Sequence, residues 1–196
     1  NRFLIMRGPA IADVTLVCID CVDVDRAVRS LTASQEQNEF EATLLLTSLP
    51  TSYPDAVKIR PIRSLRDYNR FVIYDLASFI DTEFVLIVQH DGWVIDGSAW
   101  DESWKRYDYI GGNADWTEPG PGGKGGNGGF SFRSRRLLDA APHVVAPKLD
   151  CGDEDMFLSM ASRSKMHQRS ALEKIGMRFA PRWVQQSFAL DDQIYC

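Results

Sequence analysis

An excess of positive charge, a long apolar run and an abundance of histidine are all missing from this 196-residue chain. Lys and Arg number 22 against 27 Asp and Glu, a formal charge of -5. That balance excludes a protein that grips nucleic acid through many phosphate contacts. It leaves room for a nucleotide whose phosphates meet a divalent cation. No apolar run reaches the roughly 20 residues of a membrane-spanning helix, so no transmembrane segment is expected. The opening Asn1-Arg2-Phe3-Leu4-Ile5-Met6 is too short for a signal peptide. Without an initiator Met the chain reads as a fragment or a processed product, cytoplasmic, peripheral to a membrane or part of a larger chain.

Histidine occurs three times and cysteine four. Cys18-Ile19-Asp20-Cys21 has the spacing of a metal or redox pair, but no second pair completes a zinc site. No helix start follows Cys18 directly, as a thioredoxin-type motif requires. A reduced cysteine at a strand end is the simpler reading.

What is present is an ordinary globular balance, 44% hydrophobic and 25% charged, at a length that suits one domain. Asp13 to Ile19 and Ala42 to Thr47 are strand-like and apolar, with a short third candidate at Val57 to Ile59. Asp23 or Asp25 can cap a helix whose Ala27, Val28, Leu31 and Ala33 or Ser34 share a face. Ser64 begins a second helix, expected through Ile80, with Leu65, Tyr68, Phe71, Val72, Leu76 and Phe79 at helical intervals. This alternation predicts an α/β fold with a mostly parallel central sheet flanked by helices. Further helices are expected at Ser134 onward, Glu154 to Arg163 and Ser170 to Ile175.

The stretch Phe84-Val85-Leu86-Ile87-Val88-Gln89-His90-Asp91-Gly92 carries the most information. An apolar strand ends in a carboxylate, and in open α/β sheets ligands bind beyond the carboxyl ends of strands. His90, next to Asp91 on an extended chain, is expected to face the other way. From Gly111 to Gly129 nine of nineteen residues are glycine, which predicts a loop, read here as a lid over the site. It lacks the Lys-Ser/Thr ending of a phosphate loop. Asp153-Glu154-Asp155 precedes an apolar stretch and suits either a helix start or a catalytic cluster. Trp100 and Trp104 read as packing, while Trp116 inside the glycine segment is the better sugar-stacking candidate. Arg133, Arg135 and Arg136 suit phosphate contacts or a solvated helix start equally.

In this order, the strand-ending Asp91, the segment Asn127-Gly128-Gly129-Phe130-Ser131 and the later Glu154-Asp155 pair resemble the GT-A glycosyltransferase superfamily. The chain is most similar to a little-characterised glycosyltransferase-like family of unknown function. The shared features are Val14-Thr15-Leu16-Val17, Asp67-Tyr68-Asn69-Arg70-Phe71, Val88-Gln89-His90-Asp91-Gly92, Asp108-Tyr109-Ile110-Gly111 and Gly126 to Ser131. The resemblance implies a Rossmann-like GT-A fold across residues 1–196, with a nucleotide-binding half at about 12–95 and an acceptor and catalytic half at about 96–190. It implies an inverting transfer of sugar from a nucleoside-diphosphate sugar, a UDP-sugar first of all, to a hydroxyl of a glycan or other acceptor. Asp91 would hold Mn²⁺ or Mg²⁺. Asn69, Arg70, Gly128 and Gly129 would meet the donor, and Trp116 the acceptor. Asp155 would be the general base, with Glu154 orienting the acceptor. Relatives complete the metal site with a later His, which the chain ending at Cys196 lacks. His143 and His167 read as surface or structural residues. Two other readings remain: a non-catalytic sugar- or nucleotide-binding module, and a metal-dependent nucleotidyltransferase.

Overall fold

The computed structural model describes residues 7–112, 126–144, 154, 158 and 169–189. Its first half alternates as the sequence pattern predicts: β1 (Ile11–Ile19), α1 (Val24–Gln37), β2 (Phe40–Thr47), β3 (Ala56–Lys58), α2 (Leu65–Tyr74) and β4 (Phe84–Val88). All five residues of β4 are buried. Asp23 caps α1 by accepting from the Arg26 amide at 3.1 Å. Ala27 and Leu31 press that helix on the sheet. Ser30 and Ser34, buried beside them, return their hydroxyls to the carbonyls of Ala27 and Ser30, both at 2.9 Å.

The second helix is shorter than expected. Ser64 caps α2, but the helix stops at Tyr74 instead of running through Ile80. The carbonyl of Asp75 accepts from both the amide of Ser78 at 3.0 Å and its hydroxyl at 2.7 Å. The chain therefore tightens into a 3-10 turn over Leu76–Phe79. Phe71, Val72, Leu76 and Ile80 stay in one core cluster across the break, so the apolar spacing hides it.

The remaining elements are β5 (Tyr109–Gly112), β6 (Asn127–Ser134), α3 (Arg135–Val144), α4 (Arg169–Lys174) and α5 (Arg182–Phe188). Glu154 and Leu158 are both helical; the rest of the helix expected there lies outside the described residues. The six strands form one sheet in the order β3-β2-β1-β4-β6-β5. β1 to β4 run parallel to one another, while β6 is antiparallel to both β4 and β5. The α/β fold and mostly parallel sheet are as expected. The glycine segment is not all loop: its two ends are strand. A Cβ on Gly111 would lie 2.6 Å from the carbonyl carbon of Gly126, and Gly126 has φ of +82°. Glycine is required there because two backbones meet and one turns left-handed.

Strand alternation divides the core between the sheet's faces. Leu16, Leu86 and Phe132 pack with Leu31 of α1 and Val184 and Phe188 of α5. Val17, Val85 and Ile87 pack with Phe71 and Val72 of α2 and Leu138 of α3. Among the described residues no helix is long and apolar enough to cross a membrane.

Candidate functional site

From β1 the chain passes to β2 and β3 on one side, then returns to the other side of β1 as β4. Strand order thus reverses between β1 and β4, and ligands of open α/β sheets bind at the carboxyl ends of such a pair. At the end of β1, Asp20 is occupied locally. Its Oδ1 accepts from the amides of Val22 and Asp23 at 2.6 and 2.9 Å and shapes the entry to α1. At the end of β4, Gln89 and Gly92 exchange two backbone hydrogen bonds, each 3.1 Å, so His90 and Asp91 form the tip of a tight turn.

The expectation that His90 faces away from Asp91 is corrected here. It assumes a strand continuing to residue 91, whereas β4 ends at Val88. The turn brings His90 Nε2 to 4.0 Å from Asp91 Oδ2, with the side chains 42% and 70% exposed.

The start of β6 lies against this turn. A Cβ on Gly129 would sit 2.4 Å from Gln89 Oε1, so glycine here leaves the Gln89 amide room to lie against the strand. Gln89 Nε2 donates to the hydroxyl oxygen of Tyr68 on α2 at 3.1 Å. The Gly128 carbonyl accepts from Ser131 Oγ at 2.7 Å and from Arg133 Nη2 at 3.4 Å. Arg133, wholly buried, donates through both terminal nitrogens to Glu154: Nη1 to Oε2 at 3.0 Å and Nη2 to Oε1 at 2.8 Å. Its guanidinium also lies 5.2 Å from the Tyr109 ring centroid.

Burial works against the Arg133 charge, but the facing Glu154 carboxylate and then Tyr109 outweigh it and push its pKa upward. Burial, then the Glu154 charge, pushes the Tyr68 hydroxyl up as well, so it stays protonated. Cys18 is buried at the end of β1 and its thiol is pushed up to about 12, by burial first and Asp20 second. A thiol so held is no nucleophile at neutral pH.

The structure therefore gathers Gly128, Gly129 and Glu154 around Gln89 and Arg133, with Asp91 on the turn that follows Gln89. Glu154 is buried, 3% exposed, with both carboxylate oxygens engaged by Arg133. Asn69 is buried within α2 beside Tyr68. Arg70 is exposed, 5.4 Å from the Tyr74 ring centroid and about 200° around the helix from Tyr68, so it stands apart. Asp155 and Trp116 lie outside the described residues. Trp100 and Trp104 pack edge to face at 5.3 Å, as expected.

Tyr68 and Gln89 have no site role in the sequence analysis, and Arg133, expected to meet phosphate or solvent, is instead buried and paired with Glu154. Gln89 precedes the turn in the stretch already singled out; Arg133 is written beside two exposed or half-exposed arginines and looks like them. As a cation site the turn is incomplete. Among the described residues no group of three His, Cys, Asp or Glu could hold a metal ion. Asp91 with His90 falls short of the oxygen-rich set that Mn²⁺ or Mg²⁺ takes. Asp91 also stands on the rim of a cavity of about 550 Å³ on the α1 face of the sheet.

A family model described as a protein of unknown function (DUF5672) matches residues 55–195. No curated protein matches the chain. Among solved structures, the chain is similar to the mannosyltransferase PcManGT from Pyrobaculum calidifontis, solved in complex with GDP-Man and Mn2+, with a TM-score of 0.51 and 12% identity. That match covers 92% of this chain and 58% of the mannosyltransferase, so this chain spans little more than half of that protein's length. A putative protein from Aquifex aeolicus VF5 matches at a TM-score of 0.42 and 9% identity, covering 90% of this chain and 91% of that one. At 12% identity the likeness to the mannosyltransferase is one of fold alone.

Proposed function

The chain belongs to the family DUF5672, and from that premise we propose that it is an inverting glycosyltransferase using a nucleoside-diphosphate sugar. The observation that carries the proposal is the exposed Asp91 turn at the carboxyl end of β4. It lies at the strand-order reversal, flanked by Gly129 and linked through Gly128 and Arg133 to Glu154. The shared fold with a mannosyltransferase supports the same reading.

In the proposed reaction an acceptor hydroxyl attacks the anomeric carbon opposite the leaving group. Its new C–O bond forms as the bond to the nucleoside diphosphate breaks. Asp155 takes the hydroxyl proton. Gly128 and Gly129 let backbone approach the donor, and Asn69 lies near the base or ribose. Glu154, expected to orient the acceptor, has both oxygens held by Arg133 and serves instead as a positioning residue next to Asp155 in sequence. Asp91 offers one carboxylate to a divalent cation, which would neutralise diphosphate charge when bound. The described residues do not complete its ligand set, and the chemistry assigned to the protein does not pass through it.

The test is a transfer assay with Asp155→Asn, which should lose transfer by about a hundredfold or more while donor affinity holds. Unchanged turnover in that variant would end the base assignment. The engagement of both Glu154 oxygens by Arg133 favours a second reading, a binding module that keeps the fold. Donor binding with no turnover in the unaltered protein, over a broad acceptor panel, would select it.

A further inference from the structure

The cavity rimmed by Asp91 is distinct in character from the polar group around Gln89 and Arg133. It lies on the α1 face of the sheet, closed by the turn after β4 on one side and by the end of α5 on the other. Its volume of about 550 Å³ is that of a small-molecule site. Trp93, Trp100, Phe130 and Phe188 supply most of its aromatic wall, and Trp93 keeps 38% of its surface exposed. Folded proteins seldom leave large aromatics facing an open concavity without use.

The polar part of the wall decides what can enter. Asp91 and Asp96 carry negative charge there, and no Lys, Arg or His is among the described lining residues. The Asp96 carboxylate is held below its ordinary value by hydrogen bonds from Ser98, so it stays ionised. With Asp96 ionised and no basic side chain among the described lining residues, the cavity itself disfavours an anionic ligand body. An uncharged ligand with a flat apolar body fits: rings face rings, and a hydroxyl can point out toward the rim. The rim is where Asp91 meets the strand-order reversal.

We propose that this cavity receives the apolar body, aryl or prenyl, of a neutral acceptor and presents its hydroxyl at the Asp91 end. The inference rests on the transferase reading for the word acceptor, but the binding site stands without it. An acceptor of this kind has its affinity set by the aglycone and little by the sugar it carries.

The experiment is calorimetry on the full chain without donor, comparing 2-naphthyl β-glucoside with methyl β-glucoside. The naphthyl compound should bind at least tenfold more tightly. Trp93→Ala and Ala99→Phe, the second filling the cavity from an exposed wall position, should each erase that preference. Thermal melts of both variants confirm that the fold persists. Equal affinity for the two glucosides, or a naphthyl preference untouched by Ala99→Phe, overturns the assignment. Tight naphthyl binding together with no transfer to any acceptor would remove the transferase reading and leave the cavity assigned. Transfer to methyl and naphthyl glucosides with equal kcat/KM would do the reverse.

Discussion

Arg133 and Glu154 show how much a single pair of side chains can decide. Both are buried and bonded twice to each other, so neither charge has water to fall back on. Removing one partner leaves an uncompensated buried charge, which costs about 3–5 kcal/mol. Arg133→Met or Glu154→Gln should each lower stability by that order in urea unfolding. The double variant Arg133→Met with Glu154→Gln should cost clearly less than the two single changes together. Additive losses would mean the pair is not coupled. Cys18 gives a second residue-scale prediction. Its thiol rises from 9.0 to about 12 in the folded chain, so the unfolded state loses its proton first as pH increases. Stability from this group is complete below about pH 9 and falls between 9 and 12, by up to about 1.4 kcal/mol per pH unit. Cys18→Ala should flatten that alkaline slope, measured by unfolding midpoints at pH 8, 9.5 and 10.5; an unchanged slope rules the thiol out. At this scale Asp91 was readable because a carboxylate follows five buried strand residues. Arg133 was not, because a buried arginine is spelled like a solvated one until its partner 21 positions on is known.

Elements were legible where local chemistry speaks for itself. The Asp23 and Ser64 caps and the apolar run of β4 fix their own positions. The break after Tyr74 was hidden because a serine three residues past Asp75 changes the hydrogen-bond spacing without disturbing the apolar rhythm. The glycine segment misled in another way. Glycine marks backbone freedom in a loop, and equally marks two strands too close for side chains. Gly126 needs both properties, with φ of +82° and a Cβ position 2.8 Å from Gly111 backbone. Gly126→Ala should therefore cost about 2 kcal/mol or more. At Gly112 an added Cβ would meet Asn127 Cβ at 3.5 Å and Ala189 Cβ at 3.7 Å, ordinary contacts. Gly112→Ala should cost less than about 1 kcal/mol. Denaturant unfolding of the two variants side by side decides it, and equal losses would defeat the close-approach account.

On the scale of the whole molecule, alternating strands and helices announce a parallel sheet, but not which strand neighbours which. That β6 returns antiparallel beside β4 is a matter of long-range pairing, with Ile87 opposite Ser131, and no local pattern encodes it. Yet this pairing sets Gly129 beside the Asp91 turn and Arg133 over Glu154, so the site depends on the least readable feature of the fold. For the proposed donor the net charge of -5 adds a constraint, since an anion would have to approach an acidic protein and be neutralised locally. A ligand that binds only the folded state stabilises it by about 2.7 kcal/mol at a hundred times its Kd. For a chain of this size that corresponds to a rise in Tm of roughly 5–11 °C. Nucleoside-diphosphate sugars at saturating concentration with Mn²⁺ should produce a shift of this order in the unaltered protein. EDTA should remove most of it, and Asp91→Ala should show the smaller shift whether or not Mn²⁺ is present. A full shift that ignores EDTA and the Asp91 change would keep the donor site and discard the cation. No shift with any nucleoside diphosphate or its sugars would remove the donor site itself.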